Sequence, residues 1–155
     1  METLTKALSK LIRTSLDAVV QESTDPILAL DDYYQQLEIY LEVIREMGQA
    51  AGKNLRDLRK QQAHYQAMEA RAQHSARQFS GEGQTRLAQA ATLRQHVMQQ
   101  AAASLQPAID AQNTRFMALL DAKLQLEARL TETSQRRHRS QDPFTQTSAL
   151  RPLNQ

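Results

Sequence analysis

The chain predicts an all-α fold: a short N-terminal amphipathic helix, a long antiparallel coiled-coil hairpin, and a disordered C-terminal tail. Three observations carry this. First, Gln, Ala, Leu and Arg dominate, and the 155 residues include only four Gly and four Pro, a composition that favours long helices. Second, apolar residues recur at alternating spacings of three and four from Ile27 through Leu30, Tyr34, Leu37, Leu41 and Ile44 and on, more dilutely, to Phe79, the seam of a coiled coil. Third, Ser80-Gly81-Glu82-Gly83 is the only concentrated turn signal in mid-chain.

The elements follow in order. Between Thr3 and Gln21, Leu4, Leu8, Leu11, Ile12, Leu16, Val19 and Val20 draw one stripe on a 3.6-residue helix, with Lys6, Lys10, Arg13 and Asp17 off it. The break "ESTDP" comes next. Asp25 is suited to cap a new helix, and Pro26 to occupy its first position, where a missing N–H costs nothing. Residues 1–22 thus form the amphipathic helix and 23–139 the hairpin, with its tip near 80–83. On the returning arm the seam is predicted at Leu87, Ala91, Arg94, Met98, Ala101, Leu105, Ala108, Gln112, Phe116, Leu119, Lys123, Leu126 and Leu130. Pro107 lies within it and should kink or break the helix. Residues 140–155, with two Pro and no period, read as a disordered tail.

Charge supports the hairpin. The net charge is only +2, but the signs are segregated. Asp31, Asp32, Glu38, Glu42 and Glu46 form an acidic block; basic residues are enriched from Lys53 to Arg77 and again from Arg115 to Arg139. Folding at Gly81 brings the acidic block opposite Arg115, Lys123, Arg129 and their neighbours. A uniformly basic nucleic-acid binder would lack such a block, so no nucleic-acid partner is expected.

Chemistry finds little support. There is no Cys, which excludes disulfides, thiolate metal sites and Cys catalysis. His64, His74, His96 and His138 lie in no metal-binding spacing. Asp31 and Asp32 point to different helix faces. "SGEG" lacks the Lys and preceding strand of a phosphate loop. No catalytic residue, metal or cofactor is expected. No apolar run is long enough to span a bilayer, and Lys6, Lys10 and Arg13 interrupt the apolar core a secretory signal needs.

The N-terminal stripe has two readings. It packs on the hairpin as a third helix, as most amphipathic helices do. Alternatively it lies in a membrane surface, with Lys6, Lys10 and Arg13 toward anionic lipid. Off-seam Leu28, Tyr33, Ile39, Tyr40 and Val43 widen the apolar face and point to self-association.

The order of these parts resembles the phage shock protein A family, which includes the vesicle-inducing protein of plastids and belongs to the ESCRT-III superfamily. "SLDAVVQESTDP" resembles the family's entry into its first long helix. "YQAMEARAQHSARQFSGEGQTRLAQAATLRQ" is similar to its hairpin tip, and "KLQLEARLTETSQRR" to the far end of its returning helix. The resemblance covers roughly residues 4–139, without the family's further C-terminal helices. A Trp common in the family's first arm corresponds to Tyr65 here. The resemblance implies a non-enzymatic protein, cytoplasmic and peripheral on the inner face of the membrane. It would form homo-oligomers or polymers and maintain or remodel the bilayer under envelope stress. Residues Leu4 to Val20 would contact lipid, Asp25 and Pro26 would act as a hinge, and Leu30, Tyr34, Leu37, Leu41 and Ile44 would serve assembly. The alternative is a soluble coiled-coil module that binds a protein partner, such as an AAA+ transcription activator or a full-length relative.

Overall fold

The computed structural model describes residues 2–141. Five helices follow one another: α1 (Glu2–Arg13), α2 (Leu16–Gln21), α3 (Pro26–Gly81), α4 (Thr85–Ser104) and α5 (Gln106–Gln141). No strand occurs among the described residues, so the predicted all-α class holds. The tail expected at 140–155 lies outside the described residues from 142 on; Ser140 and Gln141 still belong to α5.

The single helix predicted from Thr3 to Gln21 is two. Thr14 Oγ1 donates to the Lys10 carbonyl at 2.8 Å, ending α1. Ser15 is extended (φ −72°, ψ 140°) and caps α2, its Oγ accepting the Ala18 N–H at 3.1 Å. Thr and Ser bond well to nearby backbone outside a helix. Here that local preference overrides the 3.6-residue period. The next break follows the prediction: Asp25 Oδ1 accepts the Leu28 N–H at 3.2 Å, and Pro26 opens α3. Ser23 Oγ accepts the Asp25 N–H at 3.2 Å, ordering the approach to the cap.

α3 ends at the predicted tip. Gly83 has φ +75°. Its N–H donates to the Ser80 carbonyl at 3.2 Å, and the Gln84 N–H donates to the Phe79 carbonyl at 2.9 Å. This pair of bonds closes a helix through a left-handed residue, which glycine adopts without a Cβ penalty.

The chain divides into two compact units. One takes the residues up to Met47 and from Leu119 onward; the other is Gly48–Ala118. In the first unit, Leu30, Leu37, Leu126 and Thr133 are fully buried, with Tyr33, Leu41 and Ile44 nearly so. Thr133 Oγ1 donates to the Arg129 carbonyl at 2.7 Å, so its burial leaves no orphan hydroxyl. The arms run antiparallel: Asp31 pairs with Arg137, while Arg45, further along α3, pairs with the earlier Glu127. Asp31 Oδ1 and Arg137 Nε approach to 2.6 Å, both sheltered from water, as an ion pair and not an aligned hydrogen bond. The Arg137 guanidinium also stacks 4.6 Å above the Tyr34 ring.

Asp31 and Arg137 thus join the acidic block to the basic end of the other arm, as the charge pattern predicts, whereas Lys123 and Arg129 make their ion pairs elsewhere. Lys123 pairs with Glu127 and Arg129 with Glu132, each on its own helix. Both neighbours lie about one turn away, at the i,i+3 and i,i+4 spacings where helix side chains meet.

In the second unit the arms are again antiparallel, Gly52 lying beside Phe116 and Gln62 beside Ala102 and Gln106. The returning helix breaks at Leu105, two residues before Pro107. Pro107 carries no N–H, so a continuous helix would leave a carbonyl unpaired. Gln62 sits opposite the break. Its Nε2 donates to the Ala102 carbonyl at 3.2 Å and to Gln106 Oε1 at 2.9 Å. On the returning arm of this unit the buried apolar positions are Ala91, Ala102 and Ile109; Arg94 and Ala108 are exposed and Ala101 half-buried. The seam therefore runs one residue later than predicted around the break. Burying the larger Ile109 in place of Ala108 removes more apolar surface from water.

Candidate functional site

The predicted lipid-contact residues belong to the first unit, and that unit covers much of their stripe. Leu8 and Leu16 are buried. Leu4, Leu11, Ile12, Val19 and Val20 are half-buried, while Lys6, Lys10 and Arg13 are exposed. The stripe is thus turned inward and the cations outward.

What holds α1 down is more specific than apolar contact. The Tyr33 hydroxyl donates to the Leu11 carbonyl at 2.7 Å. Arg129 Nη2 donates to the Ile12 carbonyl at 2.6 Å and to the Thr14 carbonyl at 2.8 Å. Its Nη1 bonds Glu132 at 3.0 Å, which orients the guanidinium. At the start of α2, Asp17 Oδ1 accepts from Arg136 Nη2 at 2.8 Å. The last carbonyls of a helix carry partial negative charge and lack intrahelical donors, so an arginine there serves as a cap supplied by another helix. The cleft beside the joint is lined by Arg13, Ser15, Asp17, Arg129, Glu132 and Arg136.

Burial raises the Tyr33 pKa from its ordinary value of 10.0, outweighing the opposing charge and hydrogen bond of Arg129; Glu132 also pushes it up. A raised native pKa means that Tyr33's contribution to holding α1 is intact below about pH 10 and is lost as pH rises through the native value. A tyrosinate absorbance titration is expected to contain a late step, above the ordinary tyrosine range, from Tyr33. That late step should vanish in Tyr33→Phe. An unchanged titration in that variant would contradict this placement of Tyr33.

The other predicted residues fall as follows. Asp25 and Pro26 are exposed and form the cap and first residue of α3. Leu30, Leu37, Leu41 and Ile44 are buried and Tyr34 half-buried. The four buried residues line the unit's own interior. Apolar surface on this arm is left instead at Leu28, 56% exposed, and Ile39, 64% exposed.

Tyr33, Arg129, Arg136 and Ser15 are not legible as partners in the sequence. Tyr33 and Arg129 lie 96 residues apart with no motif between them; only "RTSLD", with Ser15 as a potential cap and Asp17 in the following turn, carries a local signal. Among the described residues no helix is long and apolar enough to cross a membrane, and no three His, Asp or Glu side chains cluster as a metal set. No protein-family model matches the chain, and no curated protein matches it.

Proposed function

We propose that the chain is a non-enzymatic protein that self-associates through its helical hairpin and contacts anionic membrane surfaces through α1 and α2. The observation that carries this is the division of the N-terminal segment into an apolar stripe and an outer row of exposed Lys6, Lys10 and Arg13. Such a segment binds a lipid interface by burying its stripe while its cations meet anionic headgroups. The family resemblance, which assigns lipid contact to the same residues, supports the reading and extends it to bilayer maintenance under envelope stress.

A second reading is favoured by the docking of α1. With much of its stripe already covered, the first unit serves as a soluble module that binds a protein partner such as an AAA+ activator. Flotation with anionic vesicles separates the two. The intact chain is expected to float with the vesicles, and a chain lacking residues 1–22 to remain at the bottom. An intact chain that stays at the bottom would rule the membrane reading out in favour of the module.

A further inference from the structure

The geometry points to a two-state N-terminal segment: broken and clasped to the hairpin by Tyr33 and Arg129, or released and continuous on a lipid surface. This rests on the membrane reading above and supplies its regulation.

The argument is one of hydrogen-bond accounting. In a continuous helix through residues 2–21, the carbonyls of Leu11, Ile12 and Thr14 would accept from the N–H groups of Ser15, Leu16 and Ala18, four residues on. The break at Thr14-Ser15 frees those carbonyls. They are the three that the clasp takes: Leu11 by Tyr33, Ile12 and Thr14 by Arg129. The Ala18 N–H goes instead to Ser15 Oγ. Clasp and helix continuity therefore draw on the same backbone carbonyls, and the clasp donors reach them where the continuous helix is broken.

The stripe makes the same demand. Leu4, Leu8, Leu11, Ile12, Leu16, Val19 and Val20 share one face only if the helix is unbroken. Docked, that face is split between α1 and α2, and Leu8 and Leu16 are buried against the first unit. Side chains buried there are inaccessible to a bilayer. Released, the segment regains its backbone bonds internally, as a low-dielectric interface requires, and presents the whole stripe. A lipid surface then shifts the equilibrium because it binds one state and not the other.

The test uses the full chain and vesicles with and without an anionic phospholipid. The double variant Tyr33→Phe, Arg129→Met removes the clasp donors. It is expected to bind anionic vesicles about tenfold or more tightly than the parent. The parent is expected to gain amide-exchange protection across residues 14–18 when vesicles are added. A second check exploits the absence of Cys. Thr14→Cys with Arg129→Cys, joined by a cleavable bis-maleimide of about the arginine's length, holds α1 docked. Vesicle binding should fall on joining and return on cleavage.

Binding that is indifferent to the staple, or a clasp variant that binds like the parent with its helicity intact, overturns the inference while leaving the membrane reading standing. Binding without added protection at 14–18 also overturns it. Absence of vesicle binding by the parent overturns the membrane reading, and this inference with it.

Discussion

Replacing Leu126 with Ala is expected to destabilise the first unit by about 2–5 kcal/mol, the range for deleting a buried leucine side chain and leaving a void. Leu126 has no exposed surface, while Leu124, two residues away on the same helix, is 64% exposed. Leu124→Ala should change stability by no more than about 0.5 kcal/mol. Denaturant unfolding followed by circular dichroism measures both. The contrast matters more than either value: two leucines of identical chemistry test which face of α5 is interior. Equal effects would mean that α5 does not present Leu126 inward. Because the unit's fully buried apolar side chains are few, namely Leu30, Leu37 and Leu126, losing one is a large fraction of its stability.

A second pair of substitutions is expected to move in opposite directions. Gly48 and Gly52 lie one turn apart in α3. A Cβ at Gly48 meets nothing within 4 Å, whereas one at Gly52 lies 3.2 Å from Phe116 Cε2. Gly48→Ala should therefore stabilise by about 0.5–1 kcal/mol, the helical advantage of alanine over glycine. Gly52→Leu should destabilise by about 1–3 kcal/mol, because the added branches meet the Phe116 ring and force repacking. Thermal unfolding of the two variants reads both signs. Stabilisation by Gly52→Leu would show that Phe116 has room to move away.

These pairs also show what is legible in the sequence. The hairpin is visible because its cause is periodic and local: a three-four seam, one cap at Asp25-Pro26, and one turn at Ser80–Gly83. The cap and the tip follow from side-chain and backbone chemistry within five residues, so they fall where predicted. The break at Thr14-Ser15 escapes the pattern because an apolar stripe continues through it. There the Ser15 cap and the carbonyl-seeking Arg129 override periodicity. The shift from Ala108 to Ile109 arises because adjacent apolar residues on both sides of the break allow two phases, and only packing chooses between them. The difference between Gly48 and Gly52 lies in a neighbour 64 residues beyond Gly52, Phe116, and no local pattern encodes it. For the candidate site, the stripe and its cations are legible, but their partners are not. In the sequence Tyr33 looks like an extra apolar residue and Arg129 like one of many basic ones.

The clasp has a consequence for synthesis. Arg129 lies 115 residues after Thr14, and Arg136 119 after Asp17. On a ribosome, α1 emerges long before the helix that will hold it. At ordinary elongation rates the wait is roughly 5–25 s, far longer than the microsecond or less that a helix needs to form. Throughout that interval the Ile12 and Thr14 carbonyls have no Arg129, and Asp17 no Arg136, to hold them. A nascent chain therefore meets any nearby lipid surface with this segment unclasped, and the completed chain meets it with the clasp in place.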